Sequence, residues 1–207
     1  MLRQTFQTLL NSYTNNQRLI YEWWDEIEKA YQNPKRHYHT LQHLEHVLNQ
    51  LLLVKDNIND WDTILFTLFY HDIVYKATKS DNEEQSAVYA GERMKKLGIS
   101  GNIILKCTSQ ILATKSHLLQ SDSDTNYFTD ADLSVLGQDW SLYELYFHRV
   151  RKEYAIYTDF LYNPGRKKVL NHFVALDRIF KTDYFFDKLE EKAKGNLKRE
   201  LEFLEEK

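Results

Sequence analysis

An all-α fold, a single-domain multi-helix bundle, is predicted by three observations. The 207 residues include two Pro and six Gly, and such low usage suits long helices better than a turn-rich sandwich or barrel. Apolar residues recur at helical spacing along most of the chain. No internal repeat and no Gly-, Ser- or Pro-rich linker divides it, and 43% hydrophobic and 14% aromatic residues suffice for one packed core over residues 1–207.

The first helical stretch runs from Leu2 to Tyr13 and the second from Arg18 to Tyr31, where Leu19, Trp23, Ile27 and Ala30 share a face. Asn33-Pro34 ends the second. From Thr40, the positions Leu41, Leu44, Val47, Leu48, Leu51 and Leu52 form one stripe, with His43 at its edge. A helix over about Asp60 to Tyr75 is apolar nearly all round (Ile64, Leu65, Phe66, Leu68, Phe69, Ile73, Val74), as expected of the central helix of a bundle, and it contains His71 and Asp72. Asp81 or Asn82 can cap a helix through Ser86, Ala87, Ala90 and Met94 to Gly98.

Another helix spans Asn102 to Lys115. The Ser- and Asp-rich segment from His117 to Asn126 lacks core periodicity and is expected as an exposed loop framing a site entrance. Asp130-Ala131-Asp132-Leu133 follows, then a helix from Ser141 to about Leu161, a turn at Asn163-Pro164-Gly165 and a helix from Arg166 to Ile179. A closing amphipathic helix carries Phe186, Leu189, Ala193, Leu197, Leu201 and Leu204.

Bulk chemistry excludes some functions. With 27 Lys+Arg against 30 Asp+Glu the net charge is −3, so no long-range field draws the chain to nucleic acid or anionic lipid. A single cysteine, Cys107, permits neither an intrachain disulfide nor a thiolate-cluster metal site and fits a reducing compartment. The polar-interrupted start is unlike a signal peptide, and no stretch approaches the roughly 20 apolar residues of a membrane span. A cytoplasmic location is expected.

The chemistry starts from Asp72. An ionised carboxylate in so apolar a helix loses several kcal/mol of solvation unless it is paired or coordinated. A divalent cation compensates it directly, and imidazole nitrogens with carboxylate oxygens suit Zn, Mn, Fe, Co or Ni, with Mg for a carboxylate-rich variant. Adjacent helical residues point about 100° apart, so His71 and Asp72 need ligands from other elements. The best donors are His43, 28 residues before His71, and Asp132, 60 residues after Asp72.

This order of His, His-Asp and distant Asp resembles the HD superfamily of metal-dependent phosphohydrolases. The segments Arg36-His37-Tyr38-His39-Thr40-Leu41-Gln42-His43, His71-Asp72-Ile73-Val74-Tyr75, Asn82-Glu83-Glu84-Gln85-Ser86-Ala87 and Asp130-Ala131-Asp132-Leu133 resemble one bacterial subgroup of that superfamily, as do Arg151-Lys152-Glu153-Tyr154 and Gly165-Arg166. The likeness covers a core over about residues 36–166, on which the C-terminal helices are expected to pack.

The resemblance implies that His43, His71, Asp72 and Asp132 are metal ligands. Asp130 rivals Asp132, but the family's last aspartate usually follows Ala and precedes Leu or Arg, which favours Asp132. His39 rivals His43 from nearly the same helix face and is kept as a supporting or substrate-contacting residue. Such a metal lowers the pKa of its water toward ~7 and polarises a phosphoryl oxygen. Glu83 is the candidate for proton transfer, and His117 for substrate binding, proton shuttling or a second ion. Arg36, Lys76, Lys79, Arg151 and Arg166 are candidates to bind phosphate.

The expected activity is therefore hydrolysis of a phosphate ester or anhydride in a small phosphorylated substrate, most plausibly a nucleotide, with homo-oligomers allowed. Two alternatives stand: a metal- and nucleotide-binding sensor without turnover, and a dinuclear-iron oxygenase. The latter generally needs two further histidines between His-Asp and the last Asp, where this chain has His117.

Overall fold

The computed structural model describes residues 1–205. Ten α-helices and two short 3-10 turns make up the fold, with no strand among the described residues, so the all-α, multi-helix expectation holds. The helices are α1 (Leu2–Asn11), α2 (Gln17–Tyr31), α3 (Leu41–Leu53), α4 (Trp61–Tyr70), α5 (Asn82–Lys96), α6 (Gly101–Ala113), α7 (Ser123–Leu133), α8 (Trp140–Glu153), α9 (Asp159–Ala175) and α10 (Asp183–Glu205). They form two compact units, Met1–Thr129 and Asp130 onward, and the boundary falls within α7. No helix among the described residues is long and apolar enough to cross a membrane.

In the first unit α4 is the central element, with α1, α3, α5 and α6 packed against it. Its residues Ile64, Phe66, Leu68 and Phe69 are fully buried, and Phe69 meets the rings of Phe6 and Trp24 edge-on. Asp60 starts α4 by accepting hydrogen bonds from Thr63 N and Oγ1, at 3.1 and 2.6 Å. Thr67 interrupts the apolar surface and is satisfied by donating to Gln110 on α6 at 2.6 Å. Gly98 ends α5 at φ 73°, a left-handed residue of the kind that closes helices.

Two local expectations are corrected in this unit. The helix expected through Tyr75 stops at Tyr70, and His71-Asp72 lie in the turn that follows. Their carbonyl neighbourhood explains the exit: Asp72 O and Ile73 O accept from the Arg36 guanidinium instead of from later turns of a helix. The segment read as an exposed loop up to Asn126 already contains the start of α7, and Asp124 is fully buried. Its carboxylate accepts from the backbone amides of Asn59 and Asp60 and from Lys106 Nζ at 2.8, 3.0 and 2.7 Å, which tethers that helix start.

In the second unit α10 packs against α9 and against the 3-10 turn Ser134–Gly137. The approach is close: a Cβ on Gly137 would lie 2.5 Å from Leu189 Cβ. Arg166 and Glu200, both buried, form a bidentate pair at 2.7 and 2.8 Å, and Glu200 also accepts from Tyr143.

Three expectations are also corrected here. Helix α8 ends at Glu153, because Arg151 donates to the carbonyls of Tyr154 and Tyr157 and holds them in a turn. The turn expected at Asn163-Pro164-Gly165 is instead inside α9, where Pro164, the sixth residue, has no N–H to give the carbonyl four residues back. That helix ends at Ala175 rather than Ile179, since the following backbone amides find carboxylates: Ile179 and Phe180 donate to Glu190, and Lys181 and Thr182 to Asp130.

Candidate metal centre

Two neighbouring segments of the first unit bring the central side chains together. Thr40 N-caps α3, whose first turn carries His43, 3% exposed. The C-cap of α4 is His71, 1% exposed, followed by Asp72. The Nδ1 of His71 lies 2.9 Å from Leu68 O. A carbonyl only accepts, so Nδ1 carries a proton and Nε2 is the atom that faces the centre.

That Nε2 is 3.2 Å from His43 Nε2 and 3.2 Å from Asp72 Oδ2, and His43 Nε2 is 3.8 Å from the same oxygen. Ligands at 2.0–2.1 Å around a tetrahedral ion lie about 3.3–3.4 Å apart, so two nitrogens and an oxygen are spaced as neighbouring ligands of one ion. The hydrogen bond from His71 Nδ1 to a carbonyl is the usual support of a metal-bound imidazole. The donor set fits a divalent cation.

Helix α7 adds a carboxylate. The ring of Phe128 meets that of His71 edge-on at 5.4 Å, and Asp132 lies one helical turn beyond Phe128 on the same face. His43, His71 and Asp132 each offer a ligand atom, all within 4.8 Å of one another, a group that can hold a metal ion. The two aspartates have different surroundings. Asp130 is fully buried with its oxygens on Lys181 N, Thr182 N, Thr182 Oγ1 and Lys181 Nζ, whereas Asp132 belongs to the ligand group.

His39 stands at the rim. Its Nε2 is 4.0 Å from Asp72 Oδ2 and its ring stacks on Tyr75 at 4.2 Å. Burial alone would raise the pKa of Asp72, but the imidazoles of His71, His39 and His43 and the contact with His71 outweigh it and hold the carboxyl well below the usual carboxylate range. The side chain, 17% exposed, is an anion ringed by three histidines.

The remaining candidates are placed as follows. Glu83 is in the first turn of α5, half-buried, with its carboxylate 4.0 Å from Lys115 Nζ. That lysine also pairs with Glu84 and donates to Ser80 O at 2.6 Å. His117 ends the turn after α6, its N–H donating to Ala113 O, with φ 52° in the left-handed region where glycine is usual. Lys76 and Lys79 are exposed on the loop before α5, which Asn82 closes by bonding to Lys76 N, Lys76 O and Lys79 O.

Arg36, expected to bind phosphate, is 8% exposed and donates to backbone carbonyls. Arg151 pairs with Asp159 at 2.7 Å besides closing α8, and Arg166 is held by Glu200. Sequence reasoning passed over Tyr31 and Tyr75, the rings 4.8 and 5.5 Å from the central carbon of the Arg36 guanidinium. Tyr75 falls in a segment singled out for its His-Asp, but nothing in the spacing marks Tyr31, 41 residues before Asp72.

Compared with known proteins, the chain matches no family model, no curated sequence and no solved structure.

Proposed function

We propose that this chain is a metal-dependent phosphohydrolase of the HD type that acts in the cytoplasm on a small phosphorylated substrate, most plausibly a nucleotide. The observation that carries the reading is the convergence of His43 Nε2, His71 Nε2 and Asp72 Oδ2 at 3.2–3.8 Å; the same two histidines also group with Asp132 as residues that could hold a metal ion. Apolar helix packing alone has no use for two imidazoles and a carboxylate turned on one another. Their order along the chain adds the resemblance drawn from sequence.

In this reading His43, His71, Asp72 and Asp132 hold a divalent ion, Mn, Fe, Co, Ni, Zn or Mg. When bound, the ion supplies an acidified water and a Lewis acid for a phosphoryl oxygen. His71 keeps its proton on Nδ1 through Leu68 O and so leaves Nε2 for coordination. Asp72 stays anionic and offsets positive charge. His39, at the rim, contacts the substrate, and the exposed ammonium groups of Lys76 and Lys79 attract its phosphate. Glu83 or His117 takes up and returns the proton.

A second reading is a nucleotide sensor that keeps the metal without turnover, favoured by the proximity of Glu83 to Lys115, an ion pair that leaves the carboxylate less available as a base. Elemental analysis of freshly purified protein, coupled to a screen of phosphomonoester, phosphodiester and nucleotide substrates, separates the two. Metal with turnover supports the hydrolase, and Glu83→Gln then abolishes turnover with metal retained. Metal without turnover on any substrate supports the sensor. Protein that holds no metal even after supplementation removes both.

A further inference from the structure

Arg36 stands in the segment before α3, and its guanidinium reaches the two residues that follow His71. Nη1 donates to Asp72 O at 2.7 Å and Nη2 to Ile73 O at 3.0 Å. Nη1 also lies 3.4 Å from His39 O, so one side chain ties the segment that carries His39 to the turn that carries Asp72.

The guanidinium is flanked by rings, with Tyr31 4.8 Å and Tyr75 5.5 Å from its central carbon. Both rings touch the centre themselves: Tyr31 OH accepts from Asp72 N at 3.3 Å, and Tyr75 stacks on His39. At 8% exposure, with Nε buried and unpartnered, this is an arginine with no face turned to solvent phosphate.

A mere helix stop does not require this construction. Glycine or a water molecule satisfies the last carbonyls of most helices, without burying a cation. A planar fork with two parallel donors fixes the direction of two successive carbonyls, and therefore the direction in which the Asp72 side chain leaves the backbone.

We infer that Arg36 is a positioning residue of the metal centre: its guanidinium, packed over the rings of Tyr31 and Tyr75, sets the Asp72 carboxylate toward His43 and His71 and registers His39 beside it. This rests on the metal-binding reading above. Arg36 makes no contact with substrate; its effect passes through the backbone of Asp72 and Ile73. Lysine keeps the charge but has no fork, so it cannot hold both carbonyls in one plane.

The test is titration of metal-free wild type, Arg36→Lys and His43→Ala with Co(II), following affinity and the visible absorption band, with circular dichroism as a check on folding. The wild type is expected to bind, and His43→Ala to lose binding. Arg36→Lys is expected to keep its helix content while its affinity falls by about 10-fold or more and its band changes shape, the scale on which residues behind metal ligands act. A changed band at saturation reports altered ligand geometry, which a loss of stability alone does not produce.

A folded Arg36→Lys with the affinity and band of the wild type overturns the inference. If Arg36→Lys does not fold, Arg36→Gln is titrated in its place, and failure of both to fold assigns Arg36 to folding and overturns the inference too. A folded wild type that binds no Co(II) refutes the metal centre itself, a result separate from any behaviour of the variants.

Discussion

Asp72→Asn changes one oxygen to an amide nitrogen, keeps the volume of the side chain and leaves the backbone carbonyl held by Arg36. In wild type the anion lies 3.2 Å from His71 Nε2 and 3.8 Å from His43 Nε2, and in the proposed reading it completes a ligand set with them. Loss of residues behind metal ligands weakens binding about 10–100-fold, and loss of an anionic ligand belongs at or above the upper end, about 100-fold. An ion at about 100 times the wild-type Kd stabilises the folded protein by ~2.7 kcal/mol, and the same concentration stabilises a variant bound 100-fold more weakly by ~0.4 kcal/mol. The difference, ~2.3 kcal/mol, corresponds to about 5–9 °C in melting temperature for a chain of this size. Melting followed by circular dichroism, in chelator and with added Mn or Zn, reads it directly. Wild type should rise with the ion by several degrees more than Asp72→Asn, each measured against its own melting temperature in chelator. An ion-induced rise of equal size in both proteins, or none in wild type, refutes the assignment of Asp72 as a ligand.

Three further predictions concern stability within each unit. Arg166→Met leaves Glu200, 1% exposed, as a buried carboxylate without its bidentate partner, and urea denaturation should show a loss of about 3–5 kcal/mol; a loss below about 1 kcal/mol would show that the pair is not a structural anchor. Gly137→Ala puts a Cβ 2.5 Å from Leu189 Cβ and 2.8 Å from its carbonyl oxygen, so α10 must shift and the same assay should report a cost of about 1–3 kcal/mol. Burial opposes ionisation of Asp124, but the hydrogen bond from Lys106 and the amides of Asn59 and Asp60 outweigh it and lower its pKa. Its contribution to stability is thus fully present above the unfolded-state value of about 3.9 and is lost as pH falls through the lower folded value. Asp124→Asn should be less stable than wild type at pH 7, and the gap should narrow as the pH falls below about 4; a gap independent of pH would contradict the ion pairing.

Helix content was legible because it is a local property. The stripes of α2 and α3 and the all-round apolarity of α4 are periodicities within single segments, and they placed most of these elements within a few residues. The boundaries that failed are those set by distant partners. Helix α4 ends at Tyr70 because Arg36 takes the next carbonyls, α7 begins early because Asp124 is anchored from Asn59 and Asp60, and α9 stops at Ala175 because Glu190 and Asp130 satisfy the amides beyond it. No reading of local propensity contains those contacts.

The candidate site divides along the same line. From sequence alone came the chemical types and their order, His43, His71, Asp72 and a later aspartate, since an acid in an apolar segment requires a partner wherever it folds. Which atoms meet was decided in three dimensions: Asp130 is taken up by the amides of Lys181 and Thr182, His71 is oriented through Leu68 O, and Arg36 turns from a phosphate contact into a clamp on the Asp72 backbone. A side chain's type limits what it can bind, but the direction of its lone pairs and the claims on its donors depend on neighbours that the linear order does not bring together.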